Sequence, residues 1–405
     1  LIPFGGRLAY SRASPLTALA GQRASVTLDL KLTADPKPLA AKGVAGSPRV
    51  LVNADALEIV LTGKPHKISG HVLVLAPSTG WAGLLPGQHV RVDGRLQPSL
   101  DAAGLSVTLS ARAPPQLLRG PPWWQRAAGA VRADLRRACS GLPQEVRGLL
   151  PGLIDGDTSG LDPVLAQRFR FAGLTHLVAV SGTNCSILIG AALLVLSRLG
   201  VRRGWCAMAG VLVVAGFVVV ARPSPSVLRA AVMGCIALAA LASGRPRRAL
   251  PALSAAVLIL LVWDPRLAVD AGFSMSVLAT AAILMLAPGW ADALRRRRVP
   301  IGLAEAIAVA AAAHVVSAPV VAAISGRVSL VAIPANVLAE PVVAAATVLG
   351  FLAALLAPMS MSVGASVAWL ASWPARWLVQ VAEWFGGLHG ASLPWPSGAR
   401  GGLLL

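Results

Sequence analysis

The sequence predicts a polytopic α-helical membrane protein of about seven spans, preceded by an N-terminal all-β domain. Three observations carry this. Between Gly173 and Ala339, long apolar stretches follow one another, each meeting or approaching the ~20 residues a bilayer requires. Hydrophobic residues make up 56% of the chain and charged residues only 13%, with a mean hydropathy of +0.69; soluble domains carry about a quarter charged residues. Ahead of these stretches, residues 21–120 alternate apolar and polar side chains in short runs.

Ser25–Leu32 and Leu105–Leu109 alternate in this way, and Val50–Val52, Leu57–Leu61 and His71–Leu75 are short strand-like runs. The turn clusters Asp35–Pro38, Gly63–Pro65 and Asp101–Gly104 separate them. The segment Leu85–Leu96, with Gly87 and Gly94, resembles the strand and turn of small OB-type barrels, where glycine lets a strand coil sharply. Such a barrel is expected over 21–120, with Trp81 as its one aromatic platform between Arg23 and Arg112. All five lysines precede position 70, so the β region has its own surface chemistry.

Residues 121–172 read as an amphipathic interfacial linker. Trp123 and Trp124 stand before Arg126, Arg132, Arg136 and Arg137 among Ala, Val and Leu, which suits either a helix anchored at a membrane surface or a soluble helix packed on the β domain. Pro151–Gly160 reads as a loop, its Asp155 and Asp157 in a solvated turn rather than a metal site, and Asp162-Pro163 starts a helix that runs to Phe171.

The apolar runs fall at about 173–197, 205–221, 226–243, 249–263, 268–288, 303–324 and 328–357. Arg198, Arg202 and Arg203 follow the first, Arg245, Arg247 and Arg248 the third, and Arg295–Arg298 the fifth; the intervening loops carry only Arg222, Arg266 or Arg327. This alternation places the Arg-rich loops in the cytoplasm and the β domain outside the cytoplasmic membrane. Much of the net charge of +19 is thereby topological, not a nucleic-acid footprint. Residues 361–405 form an interfacial helix or a final span and a tail, the former favoured by Pro374, Arg376, Glu383 and tryptophans 369, 373, 377 and 384. A first residue other than Met and an apolar Leu403–Leu405 end read as a piece of a longer chain. Cys139, Cys185, Cys206 and Cys235 show no metal-like spacing, and neither a disulfide framework nor a zinc site is expected.

Polar residues inside the apolar region are the candidate site. His176, Ser181, Gly182 and Asn184 lie near or within one run, where Ser-Gly can unwind a helix against a polar passage; a small-residue packing face with one interfacial His is the alternative. Asn336 and Glu340 are four apart, on one helix face before Pro341, and a carboxylate within a span is by default functional. Arg229, Asp270 and His314 are their candidate neighbours, with Arg229 paired to either Glu340 or Asp270. Phosphate-loop, metalloprotease and nucleophile-elbow signatures are missing, so no enzyme activity and no cofactor is expected.

Four blocks resemble, in order, the ComEC-type DNA internalisation proteins of natural competence. These are Gly173–Gly182 around His176 and Ser181, Pro225–Met233 around Ser226 and Arg229, Asp264–Ser276 around Asp270, and Ser329–Pro341 around Asn336 and Glu340. The resemblance, spanning about 25 to 360, implies a channel for single-stranded DNA over 173–360. It also implies a separate ATP-driven motor, a DNA receptor and a nuclease as partners. Thr183-Asn184 departs from the family pattern of a hydrophobic residue followed by His, which removes a titratable group. Many members continue into a metallo-β-lactamase-like domain, which this chain stops short of. The alternative function is a secondary transporter of a small solute or ion, with Asp270, His314 and Glu340 as a proton relay.

Overall fold

The computed structural model describes residues 15–39, 48–61, 64–98, 106–178, 180–244 and 248–404. The Asp101–Gly104 turn, Leu105, Gly63, Arg245 and Arg247 lie outside them. Two compact units are present, Leu1–Gly129 and Ala130–Leu405.

In the first unit, α1 (Pro15–Gly21) precedes β1 (Ser25–Leu32), β2 (Lys37–Leu39), β3 (Arg49–Leu61), β4 (Lys64–Pro77), β5 (His89–Gln97), β6 (Ser106–Ala111) and β7 (Gln116–Arg119). β1 pairs antiparallel with both β3 and β5, β3 with β4, and β5 with β6, while β4 and β6 run parallel. The order β1-β3-β4-β6-β5 therefore closes back on β1 as a five-stranded barrel, with β2 and β7 extending it on β3 and β5. This is the Greek-key barrel type to which OB folds belong. Alternation sets the inside: Val26, Leu28, Leu30 and Leu32 of β1 meet Val50, Val52, Val72, Val74, Val90 and Val92 in one core. Gly94 permits the closure, since a Cβ there would lie 2.8 Å from the Ser110 carbonyl oxygen on β6. Across β1 and β5, Arg91 grips Asp29 with two 2.7 Å hydrogen bonds.

Trp81 corrects one expectation. It is fully buried, its Nε1 donating to the Ala113 carbonyl at 3.1 Å, so it fills the barrel core and offers no platform to a base. Trp81→Ala is expected to destabilise the first unit by about 3–5 kcal/mol. Thermal unfolding of the full chain reads this, and an unchanged transition would return Trp81 to a surface role.

The second unit is helical. α2 (Trp123–Ala138), which begins in the first unit, then α3 (Gln144–Asp155), α4 (Pro163–Phe171) and α5 (Thr175–Val178) lead to α6 (Gly182–Arg198), α7 (Arg203–Ala221), α8 (Pro225–Ala242) and α9 (Ala249–Trp263). After the 3₁₀ turn Pro265–Val269 come α10 (Ala271–Arg296), α11 (Ile301–Ser325), β8 (Arg327–Ser329), α12 (Ala332–Leu356), α13 (Met361–Gly387), β9 (Ser392–Pro394) and α14 (Ala399–Leu403). α7, α8, α10, α11 and α12 are long and apolar enough to cross a membrane; α6 and α9, with 17 and 15 residues, are shorter apolar helices. The seven expected runs thus appear as five full-length and two short helices. Asp162 accepts from Val164 N and caps α4, as its sequence signature predicts.

Pro151–Asp155 is helical, not part of a loop. This last stretch of α3 is buried throughout, with Leu149, Leu150, Leu153 and Ile154 in the main helical core. The exposed Gln144, Glu145 and Arg147 belong to the first turn, and Pro151 is accommodated in the buried remainder. α6 and α8 run parallel, with Gly182 at Ala230 and Ile189 at Gly234, and α7 runs antiparallel to α8, with Gly210 at Leu238 and Val214 at Gly234.

α12 and α13 form a hairpin held at both ends. A tight turn joins them at one end, β8 pairs antiparallel with β9 at the other, and between these Trp377 Nε1 donates to the Leu338 carbonyl at 2.8 Å. From Leu338 to Leu356, α12 rises about 27 Å at ~1.5 Å per residue, and α13 retraces that distance.

Candidate functional site

The first apolar run is broken. α5 ends at Val178 and α6 begins at Gly182, leaving Val180 and Ser181 non-helical, with Ser181 extended at φ −113° and ψ 163°. The side chains around the break are fixed from α3: Asn184, buried, donates from Nδ2 to the Leu153 carbonyl at 2.8 Å, and Ser181 Oγ donates to Asn184 Oδ1 at 3.3 Å. Ser181 makes no capping hydrogen bond to the start of α6. The neighbouring helix starts differ: Ser224 caps α8 through Val227 N, and Asp270 caps α10 through Phe273 N at 2.6 Å.

Arg229, in the second turn of α8, is 7% exposed. Its Nε donates to Ser276 Oγ of α10 at 2.9 Å and its Nη1 to Met233 Sδ at 3.3 Å. The guanidinium reaches the start of α6, where a Cβ on Gly182 would lie 3.0 Å from Nη2. Gly182 is therefore the residue that lets α6 and this cation approach. No carboxylate pairs with Arg229 among the described residues, which corrects the expected partnership with Glu340 or Asp270. The reason lies in the helix ends, because Asp270 is committed to the N-terminus of its own helix and Glu340 is exposed on α12.

The other predicted residues stand apart from this cluster. His176 is exposed at α5, His314 on α11 is in electrostatic contact with the Ser329 backbone, and Asn336 Nδ2 donates to the Ala332 carbonyl of its own first turn at 2.8 Å. Gly182, Ser181, Asn184 and Arg229 are brought together through α6; His314, Asn336, Glu340 and Asp270 are not joined to them by a hydrogen bond among the described residues.

A second polar network lies beside the break and was not legible as a site. Arg132 Nη1 donates to the Asp155 and Val220 carbonyls, both at 3.0 Å, so one guanidinium closes the C-terminal ends of α3 and α7. Its Nε stands 3.8 Å from Asp155 Oδ2, on a carboxylate fully buried and otherwise without a hydrogen bond on that oxygen. Burial pushes the Asp155 carboxyl up to about 6, even though Arg132 and the Asp157 backbone N–H pull it down. For Asp157 the balance is reversed. Burial raises it, but hydrogen bonds from Ser159 and a 2.6 Å bond from Arg136 outweigh that and hold it below the usual range. The expected solvated turn at Asp155 is thus a buried ionic junction.

The model of the Competence protein family matches residues 153–405. The chain belongs to this family. A curated relative, ComE operon protein 3 of Bacillus subtilis (strain 168), is 27% identical over 248 residues, which are 60% of this chain and 31% of the relative. No solved structure matches. The Competence region contains all nine predicted site residues together with Asp155 and Asp157, whereas Arg132 and Arg136 precede it. The i, i+4 spacing of those two arginines, opposite an Asp-Gly-Asp, was the available signal for the network.

Proposed function

We propose that this Competence-family chain forms the membrane path by which single-stranded DNA crosses the cytoplasmic membrane in natural transformation, with the barrel outside. The observation that carries it is Arg229. A buried cation without a carboxylate, in a helix apolar enough to span, suits a polyanion and is costly for any other purpose. The β barrel guides the strand by its surface charge alone, since Trp81 is withdrawn from solvent. With no nucleotide-binding motif in the sequence, energy on this reading comes from a separate motor, and a receptor and a nuclease serve strand capture and degradation of the other strand. The transporter reading draws no comparable support, because Asp270, His314 and Glu340 make no hydrogen bond to one another among the described residues.

Orientation follows from the arginine alternation and the α12–α13 hairpin together. If the Arg198–Arg203 and Arg295–Arg298 loops are cytoplasmic, β8 is external, α12 runs inward, and α13 returns outward to β9 as an additional crossing. Reporters fused at Arg203, Arg298 and Ser360 are expected to read cytoplasm, and one fused at His389 to read the outside. A cytoplasmic signal at His389 would make α13 an interfacial helix instead. The function itself is tested by transformation frequency in a strain carrying Arg229→Met, with membrane abundance measured in parallel.

A further inference from the structure

The outer surface of the barrel carries one cross-strand row of basic side chains. Arg119 of β7 stands opposite His89 of β5, and His89 in turn stands opposite Lys31 of β1. Three contiguous strands therefore hold them side by side over about 10 Å, two strand spacings of ~4.8 Å. Like charges set directly opposite one another in a sheet cost stability, and the nearby carboxylates do not offset that cost. Asp29 is taken by Arg91 with two hydrogen bonds, Asp93 accepts from Thr27 Oγ1 at 2.5 Å, and Asp55, opposite Lys31 on β3, is bonded to His71 at 3.1 Å. Lys31 and Arg119 are exposed and make no hydrogen bond or ion pair among the described residues. His89 lies half-buried between them. Burial and the charges of Lys31 and Arg119 hold its imidazole below the ordinary range, against the pull of Asp29.

Oligonucleotides on OB barrels lie on the face of the second and third barrel strands. Here those strands are β3 and β4, whose outer side chains oppose Leu51 to Leu75, Asn53 to Leu73 and Asp55 to His71. That face is mostly aliphatic, and its His71 is engaged by Asp55, so it offers little to a phosphate. The unanswered positive charge lies instead on the first and fourth barrel strands, β1 and β5, and on β7 beside them.

We propose that the row Arg119–His89–Lys31 is the barrel's nucleic-acid track: it takes the phosphates of a single strand across β7, β5 and β1, and His89 takes up a proton as the strand binds. The proposal deepens the uptake reading above and rests on it for the identity of the strand. An anionic lipid surface presents the same phosphates, but the row contains no apolar side chain to enter a bilayer, which a strand does not require. A phosphate set against His89 opposes the effect of Lys31 and Arg119, so the bound strand raises the imidazole and binding tightens as pH falls. With no aromatic ring in the row, the bases are not read.

The full chain in an uncharged detergent tests this with a fluorescent oligothymidylate, whose bases do not titrate over the range used, about pH 5 to 8. The double variant Lys31→Gln/Arg119→Gln is expected to shrink the slope of log affinity against log salt by about 1.4, two phosphate contacts at ~0.7 each. Lys67→Gln, at an exposed lysine of β4 outside the row, should leave the slope unchanged. Wild type should bind more tightly toward pH 5, and His89→Gln should flatten that response while binding as wild type does at pH 8. Equal losses of slope in Lys67→Gln and Lys31→Gln would reduce the binding to diffuse surface charge and overturn the track, as would a pH response unchanged in His89→Gln. Amine-reactive labelling of Lys31, read by mass spectrometry, should be blocked by oligothymidylate. Blockage by discs of phosphatidylglycerol alone would give the row to a lipid surface and overturn the strand. If the row variants bind as wild type does while Arg229→Met still loses transformation, the track falls and the membrane path stands. Row-dependent binding, in a chain whose deletion leaves transformation unchanged, would keep the track and remove the path.

Discussion

Arg229→Met is expected to lower transformation at least about a hundredfold, the equivalent of two charge-assisted hydrogen bonds to phosphate, while the protein stays in the membrane and melts no lower than wild type. The two halves of this result come from the same geometry. Arg229 is buried against a serine hydroxyl and a methionine sulfur, neither of which returns what the guanidinium loses on leaving water. Replacing an unpaired buried charge with an apolar side chain of similar reach removes that penalty, so stability holds or rises. A group kept at a cost to folding is one whose worth lies in function. Glu340→Gln serves as the contrast. The Glu340 side chain is exposed on α12 and makes no hydrogen bond or ion pair among the described residues, so an amide there should leave uptake within a fewfold of wild type. Uptake retained in Arg229→Met but lost in Glu340→Gln would point to a carboxylate that must titrate, and to a proton-coupled carrier.

The second large effect is expected at the buried junction. Arg132→Ala strips the cation from a carboxylate with no side-chain exposure and uncovers the Asp155 and Val220 carbonyls, at a cost of about 3–5 kcal/mol near pH 7. The pH dependence has a definite sign. The Asp155 carboxyl rises on folding from 3.8 to about 6, so the folded chain holds this proton more tightly than the unfolded chain. The group therefore favours folding below about pH 4, and that contribution fades as pH rises through about 6, a change of roughly 3 kcal/mol. In Arg132→Ala the carboxyl rises further, so the deficit should be greatest at pH 7 and shrink toward pH 5. Adding Asp155→Asn should recover part of it at pH 7. Detergent-solubilised full chain melted across this range gives the measurement, and an Arg132→Ala deficit that is flat with pH would assign the loss to packing.

Much of the architecture is written locally. The alternation of Ser25–Leu32 sets one wall of the barrel core, Asp162-Pro163 starts a helix, and Ser181-Gly182 marks a real break in an apolar run. Each depends on neighbours a few residues away, which sequence displays directly. What was not legible depends on distant partners. Trp81 lies in a turn-rich stretch that reads as surface, and its burial follows only once the barrel closes around it and Ala113 supplies a carbonyl. Asp155 looks solvated until Arg132, 23 residues earlier, folds onto it. Arg229 could be assigned a carboxylate from sequence because nothing local forbids one; its actual neighbour Ser276 is 47 residues away on another helix. The nine candidates could be picked out one by one along the chain, but which helices stand side by side decided which of them meet.

The buried guanidinium of Arg229, without a carboxylate partner among the described residues, has a consequence for the cell's energetics. A pore that admits nucleic acid threatens to discharge the proton gradient on which the rest of the membrane depends. A guanidinium in a low-dielectric site repels hydronium and sodium as strongly as it draws phosphate. In the proposed path, the feature that welcomes the strand is thus also the insulator when no strand is present. Arg229→Met cells should then leak protons as well as fail to transform.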